Sequence, residues 1–175
     1  HMSRNPVRLA VRLLEVEGLL VKDHYKRIAV KGVTAKDVVE IYQLRELLET
    51  SAFKLIFESG RANDYSYKLE EKIVRMRAAR DDFYSWENAD TEMHIAIVDV
   101  FENDRILRIY RNNQFELIRI GLLSHKTEDH VLDVNKRLME MLEHMRANDF
   151  DRAFEILYKD HLVAGRDLAL RELSR

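Results

Sequence analysis

Phe83, Trp86, Asp90, His94, Ile97 and Phe101 recur at the three- and four-residue spacing that stacks side chains on one face of an α-helix. The stripe is that of a helix buried along one side, apart from a carboxylate and an imidazole one turn apart. A buried carboxylate and imidazole are costly unless something pairs with them. Two explanations are open at this point. Asp90 and His94 can pair with each other or with an arginine and serve structure alone, or they can hold a metal or ligand inside a helical bundle.

The same periodicity runs through most of the 175 residues, which predicts an all-α fold. A single proline and five glycines leave little to interrupt helices. No apolar run approaches the roughly 18 residues a membrane span needs, and no secretory signal is evident, so a cytoplasmic location with no membrane partner is expected. Without cysteine, any metal must be held by imidazole and carboxylate groups. His1-Met2 reads as a remnant of cloning and is left out of fold reasoning. The net charge of −2 is unevenly distributed: residues 1–31 carry seven basic and three acidic side chains, a net of +4, which leaves −6 for the rest. A basic end on an acidic body suits a nucleic-acid contact, or simply a solvated helix face.

Ser3 is a suitable helix N-cap and Pro6 fits the first turn, after which Val7, Ala10, Val11 and Leu14 form an apolar face. Arg4, Arg8 and Arg12 lie four apart on another face, and Gly18 ends the helix. Leu19-Leu20-Val21 and Ile28-Ala29-Val30, separated by Lys22 to Arg27, predict a short hairpin. Helix, glycine and hairpin make the closing half of a winged helix-turn-helix over residues 3–33. Residues 34–175 predict an antiparallel bundle of about six helices, near 34–60, 64–80, 82–101, 104–124, 131–147 and from Asn148-Asp149 onward. Arg45 interrupts the apolar stripe of the first of these, with Glu49 one turn on as its nearest partner. Tyr67, Ile73, Val74 and Met76 are expected to face inward, and Val134, Leu138, Met141, Leu142 and Met145 form a further core face. His161 falls on the stripe Phe154, Leu157, Ala164, Leu168. His125 and His130 are expected in a solvated junction.

Ser3-Arg4-Asn5-Pro6-Val7-Arg8, continuing to Leu14-Glu15-Val16-Glu17-Gly18-Leu19-Leu20, closely resembles the recognition helix of GntR-family transcription regulators. Tyr42-Gln43-Leu44-Arg45 with Glu49, Asp90-Thr91-Glu92-Met93-His94 with Asn103, Asn148-Asp149 with Ala153, and His161-Leu162 are similar to the marks of the FadR-type branch, whose effector module is the FCD domain. Two departures stand out. The wing turn is His24-Tyr25-Lys26-Arg27 where the family uses glycines, and the two helices that open the winged domain have no counterpart in this sequence.

The resemblance implies a ligand-responsive regulator working as a homodimer. Ser3, Arg4, Arg8 and Arg12 would contact operator DNA, and a small organic acid would be the effector. It also implies a divalent transition metal (Zn, Ni, Fe or Mn) held by Asp90, His94 and a histidine on each of the last two helices. Leu138 stands at the first of those two positions and cannot ligate. At the second, a count from Ala153 lands on Asp160, whereas His161 is the residue on the apolar stripe and the preferred ligand. Arg45 is the implied anchor for the acid, with Leu138 as part of the cavity wall; from its helix position near Phe115 and Leu122, Arg119 is a second candidate for anion contact. No enzyme is expected. No histidine has a glutamate three residues before it, and no zinc-protease, phosphate-loop or nucleophile motif is present.

Overall fold

The computed structural model describes residues 4–25, 27–124 and 127–175. The expected capping and DNA contact at Ser3 and the expected solvated position of His125 lie outside these residues, as does the wing residue Lys26. The chain separates into two compact units, 1–34 and 35–175.

In the first unit, helix α1 (Arg4–Val16) ends where Gly18 takes a left-handed conformation (φ 73°). Gly18 N–H donates to Glu15 O (3.1 Å) and Leu19 N–H to Leu14 O (2.9 Å), a double bond pattern that satisfies the last carbonyls of the helix. Strands β1 (Leu20–Lys22) and β2 (Ile28–Val30) then pair antiparallel, with Val21 opposite Ala29. The glycine-free turn is organised by Asp23. Its carboxylate accepts the backbone N–H groups of Tyr25 (2.8 Å) and Arg27 (2.9 Å) and the Arg27 side chain (2.8 Å). No described residue of this unit is buried. Val7 and Leu14 stand exposed, so the hairpin and the Lys22–Glu15 ion pair (3.0 Å) hold against α1 without a hydrophobic core.

The second unit is all helical among its described residues. Helices α2 (Ala35–Glu58), α3 (Ala62–Ala78) and α4 (Phe83–Val98) are followed by a 3₁₀ turn (Asp99–Phe101), α5 (Asp104–Asn112), α6 (Gln114–Ser124) and α7 (Glu128–Arg146). The last rod runs from α8 (Phe150–Glu155) through a π-helical segment (Ile156–Val163) into α9 (Ala164–Leu173). Two positive-φ residues, Glu102 and Asn148, turn the chain between rods. Asn103 and Asp149 then cap α5 and α8 by accepting N–H groups of their first turns. Helix α3 lies against α4 and α7, α6 against α4 and α9, and α2 crosses α4. Phe53, Ile56, Leu69, Met76, Trp86, Met93, Ile97, Leu138 and Met141 are fully buried at the centre.

Three expectations are corrected here. The helix foreseen over 104–124 is two, broken at Asn113, whose side chain bonds back to Ile109 O (2.7 Å) and competes with the backbone ladder. Helix α7 starts at Glu128, capped by Thr127, so His130 belongs to its first turn and not to a solvated junction. Tyr67 and Val74 are 59% and 56% exposed, and the inward face of α3 is Tyr65, Leu69, Ile73 and Met76. Tyr67 instead lies under the Arg146 guanidinium (4.8 Å). Urea denaturation separates the two faces. Leu69→Ala is expected to cost about 2–5 kcal/mol, whereas Val74→Ala should stay within about 0.5 kcal/mol of the parent.

Candidate metal and ligand site

Helix α4 carries the site because almost every side chain on it is enclosed. Asp82 caps it by accepting Tyr84 N–H (3.1 Å), and eight residues on Asp90 is 5% exposed and His94 1%. His94 Nε2 lies 3.4 Å from Asp90 Oδ2, and His161 Nε2 lies 3.3 Å from Asp90 Oδ1. The two Nε2 atoms are 2.8 Å apart, with the imidazole rings stacked at 4.9 Å. Three donor atoms, two imidazole nitrogens and a carboxylate oxygen, therefore converge within 4.8 Å.

The π-helical segment places His161 here. Ala164 N–H reaches back five residues to Lys159 O, so the rod has a wider turn at this point. A count along an uninterrupted α-helix from Ala153 lands on Asp160. The extra residue of the wider turn carries His161 to Asp90 instead, and the Asp160 carbonyl accepts from Arg137 (3.4 Å).

Behind His94 lies a fully enclosed carboxylate. Glu49 Oε1 accepts Arg45 Nε–H (2.8 Å) and the Tyr110 hydroxyl (2.7 Å). Its other oxygen is an ion-pair contact 2.5 Å from His94 Nδ1, not aligned as a hydrogen bond. Burial works to raise the Glu49 pKa, but the charges of Arg45 and His94 outweigh it and hold the carboxyl down to about 2. Asp90 is likewise held well below the carboxylate range, against its burial, by His94 and His161. Burial lowers the His161 pKa; for His94, burial and Arg45 pull the same way, but Glu49 and Asp90 raise it. Glu49 was foreseen as the partner of Arg45, and Arg45 makes that pair while its Nη2 also sits 2.6 Å from His94 Nε2.

A cavity of about 280 Å³ opens onto this cluster, lined among others by Tyr42, Arg45, Glu87, His130, Arg137 and Arg171. Two helical glycines make room for its walls. A Cβ on Gly121 would fall 1.9 Å from Glu87 Oε2, and one on Gly165 would fall 2.7 Å from the Tyr42 hydroxyl. Leu138 is not part of this wall. It is fully buried in the bundle core, and α7 faces the cavity with His130, Val134 and Arg137. Arg119 is half-buried on α6, whereas the residues of that helix lining the cavity are Leu117 and Gly121. Asp90, His94, His161 and Arg45 thus come together, and Arg119 and Leu138 stand apart. Arg8 and Arg12 are exposed on α1 of the other unit, where Arg4 opens the helix.

The residues present suit a divalent metal. Asp90 Oδ1 is buried with no aligned hydrogen-bond donor, and two imidazoles plus a carboxylate match the preferences of Zn, Ni, Fe and Mn. Glu49 behind His94 is the kind of carboxylate that orients a metal-binding imidazole.

The family model of the FCD domain matches residues 40–163. The chain belongs to the FCD-domain family. Its resemblance to FCD-type GntR regulators is supported by relatives as well. It is 30% identical to the HTH-type transcriptional regulator YdhC of Bacillus subtilis, over 79% of this chain and 64% of that protein. It is 29% identical to the gluconate operon transcriptional repressor of Bacillus licheniformis, over 99% of this chain and 67% of that protein. The chain thus spans about two thirds of the length of these relatives. A GntR transcriptional regulator from Rhodococcus sp. RHA1 shares the fold at TM-score 0.78 and 21% identity, over 97% of this chain and 81% of that one. A metal-free FCD domain of another regulator does so at TM-score 0.62 and 19% identity, over 82% of this chain and 99% of that one.

Removing the Glu49 charge tests the electrostatics. Breaking one side of a buried ion pair costs about 3–5 kcal/mol, so Glu49→Gln should be less stable than the parent by that order at pH 7. Because the folded-state pKa is depressed to about 2, the stabilisation is complete above the ordinary glutamate range and is lost as pH falls through it. Chemical denaturation at pH 7, 5, 4, 3 and 2 should therefore show the gap between parent and variant closing between about pH 5 and 2. A gap independent of pH would contradict this.

Proposed function

We propose that this FCD domain senses a small organic acid, with a divalent metal, for a DNA-binding transcription regulator acting in the cytoplasm. The supporting observation is the convergence of Asp90, His94 and His161 beside Arg45 in one cavity. Asp90, His94 and His161 would hold the metal, and three protein ligands leave coordination positions for water or an acid. A bound metal would supply a Lewis-acidic seat for a carboxylate. Arg45 would add a planar fork for the same group, and the Leu138 and Arg119 roles pass to Val134, Arg137 and Arg171 on the cavity wall. At about 280 Å³ the cavity suits a compact acid, and the enclosed Glu87 carboxylate favours one that also carries hydroxyl groups.

The DNA contact is proposed for the end bearing Arg4, Arg8 and Arg12, with Ser3 at its start, reading a two-fold symmetric operator as a homodimer. Effector binding would shift the population between arrangements of the paired DNA-binding ends. No helix among the described residues is long and apolar enough to cross a membrane. A second reading, a metal-free pocket, is favoured by one observation: Arg45 already occupies His94 Nε2.

Thermal denaturation with and without metal decides between them. Ligand at 100 times its dissociation constant stabilises by about 2.7 kcal/mol. Chelator should lower the melting temperature of metal-loaded protein and added Ni²⁺ or Zn²⁺ should restore it. His94→Ala should abolish the response, and His24→Ala, on the exposed hairpin turn, should leave it intact. Protein free of metal on purification and indifferent to both treatments would establish the metal-free reading.

A further inference from the structure

The metal site and the proposed acid anchor share one atom. Arg45 Nη2 lies 2.6 Å from His94 Nε2, the nitrogen that also faces Asp90 Oδ2 and His161 Nε2. A guanidinium has five donors and no acceptor, so a hydrogen bond at this contact takes His94 as the neutral imidazole with Nε2 the acceptor. His94 then carries its proton on Nδ1, the nitrogen in contact with Glu49. An imidazole has one lone pair at Nε2, and a metal would need it at about 2.0–2.1 Å. The guanidinium and a metal ion are both cations, and they cannot occupy that lone pair together.

We infer that Arg45 is an internal occupant of the metal's place on His94, that metal binding displaces it, and that the displaced guanidinium is the form that binds the acid. This rests on the proposed metal-and-acid reading of the site. The movement is a rotation of the whole planar guanidinium about the Arg45 Cδ–Nε bond: Nη2 leaves His94, Nε–H turns with it from Glu49 Oε1 (2.8 Å), and the group stays within a cavity that Arg45 already lines. Tyr42, whose ring lies 5.0 Å from the Arg45 carbon, forms the surface along which it turns. Metal and acid should therefore bind with positive cooperativity, each raising the affinity for the other by the same factor. Arg45 covers His94 Nε2 whenever the metal is away, while Asp90 Oδ1 keeps no aligned donor until a metal arrives.

Ni²⁺ alone, titrated calorimetrically into parent protein and Arg45→Gln, tests this. The glutamine amide reaches the position of Arg45 Nε and can still donate to Glu49, but it stops short of His94. Circular dichroism first establishes that the variant is folded. Removing a charge-assisted hydrogen bond to the ligand atom should tighten Ni²⁺ binding by about tenfold to a hundredfold. Binding by Arg45→Gln alone would support the inference in its strongest form. Equal or weaker binding by the variant would overturn the inference and leave the metal reading standing, whereas no binding by either protein would overturn both. Should Arg45→Gln fail to fold, the parent is crystallised with saturating Zn²⁺. Arg45 turned off His94 Nε2 in the metal-bound protein supports displacement; Arg45 still on His94 Nε2 beside a bound metal, or no bound metal, overturns it.

Discussion

The carboxylate of Glu49 has no exposure to solvent, and three polar groups from three helices depend on it. Arg45 on α2, Tyr110 on α5 and His94 on α4 all meet its two oxygens. Burying one charge in a bundle core would be prohibitive, but here the ion has a cation and a hydroxyl bonded to one oxygen and an imidazole in contact with the other. The network fixes the rotation of His94 about its own ring, which decides which nitrogen faces the cavity. It also holds the Arg45 stem while leaving the tip on His94. The positions of His94 and Arg45 beside Asp90 and His161 thus follow from where Glu49 sits.

The helices were legible because their apolar stripes survive every polar intrusion, and the intrusions themselves pointed to the site. Asp90, His94, Arg45 and His161 are each out of place on a buried face, and the structure gathers all four. Less legible were features in which a local competition changes the register. The Asn113 side chain interrupts what hydrophobic spacing alone presents as one helix. The π-helical turn leaves no compositional trace in Ile156–Val163, yet with it His161 lies against Asp90 while Asp160 only lines the cavity. His130 was hidden by the polar run before it, which is the cap and first turn of α7 and not a loop.

Leu138 shows a different failure. Its position in the chain suggested the cavity, but a helix as deeply enclosed as α7 has two buried faces. Leu138 lies on the core-facing one, while Val134 and Arg137 look toward the site. On the side of α7 the cavity is therefore lined by Val134 and Arg137, with His130 a turn earlier.

Anomalous diffraction at the nickel edge, on crystals of the protein grown with Ni²⁺, tests the central claim most directly. The account predicts one strong peak within bonding distance of an Asp90 oxygen, His94 Nε2 and His161 Nε2, with the Arg45 guanidinium turned off His94 and into the cavity. A site without a peak, or a peak there with Arg45 still on His94 Nε2, would contradict it.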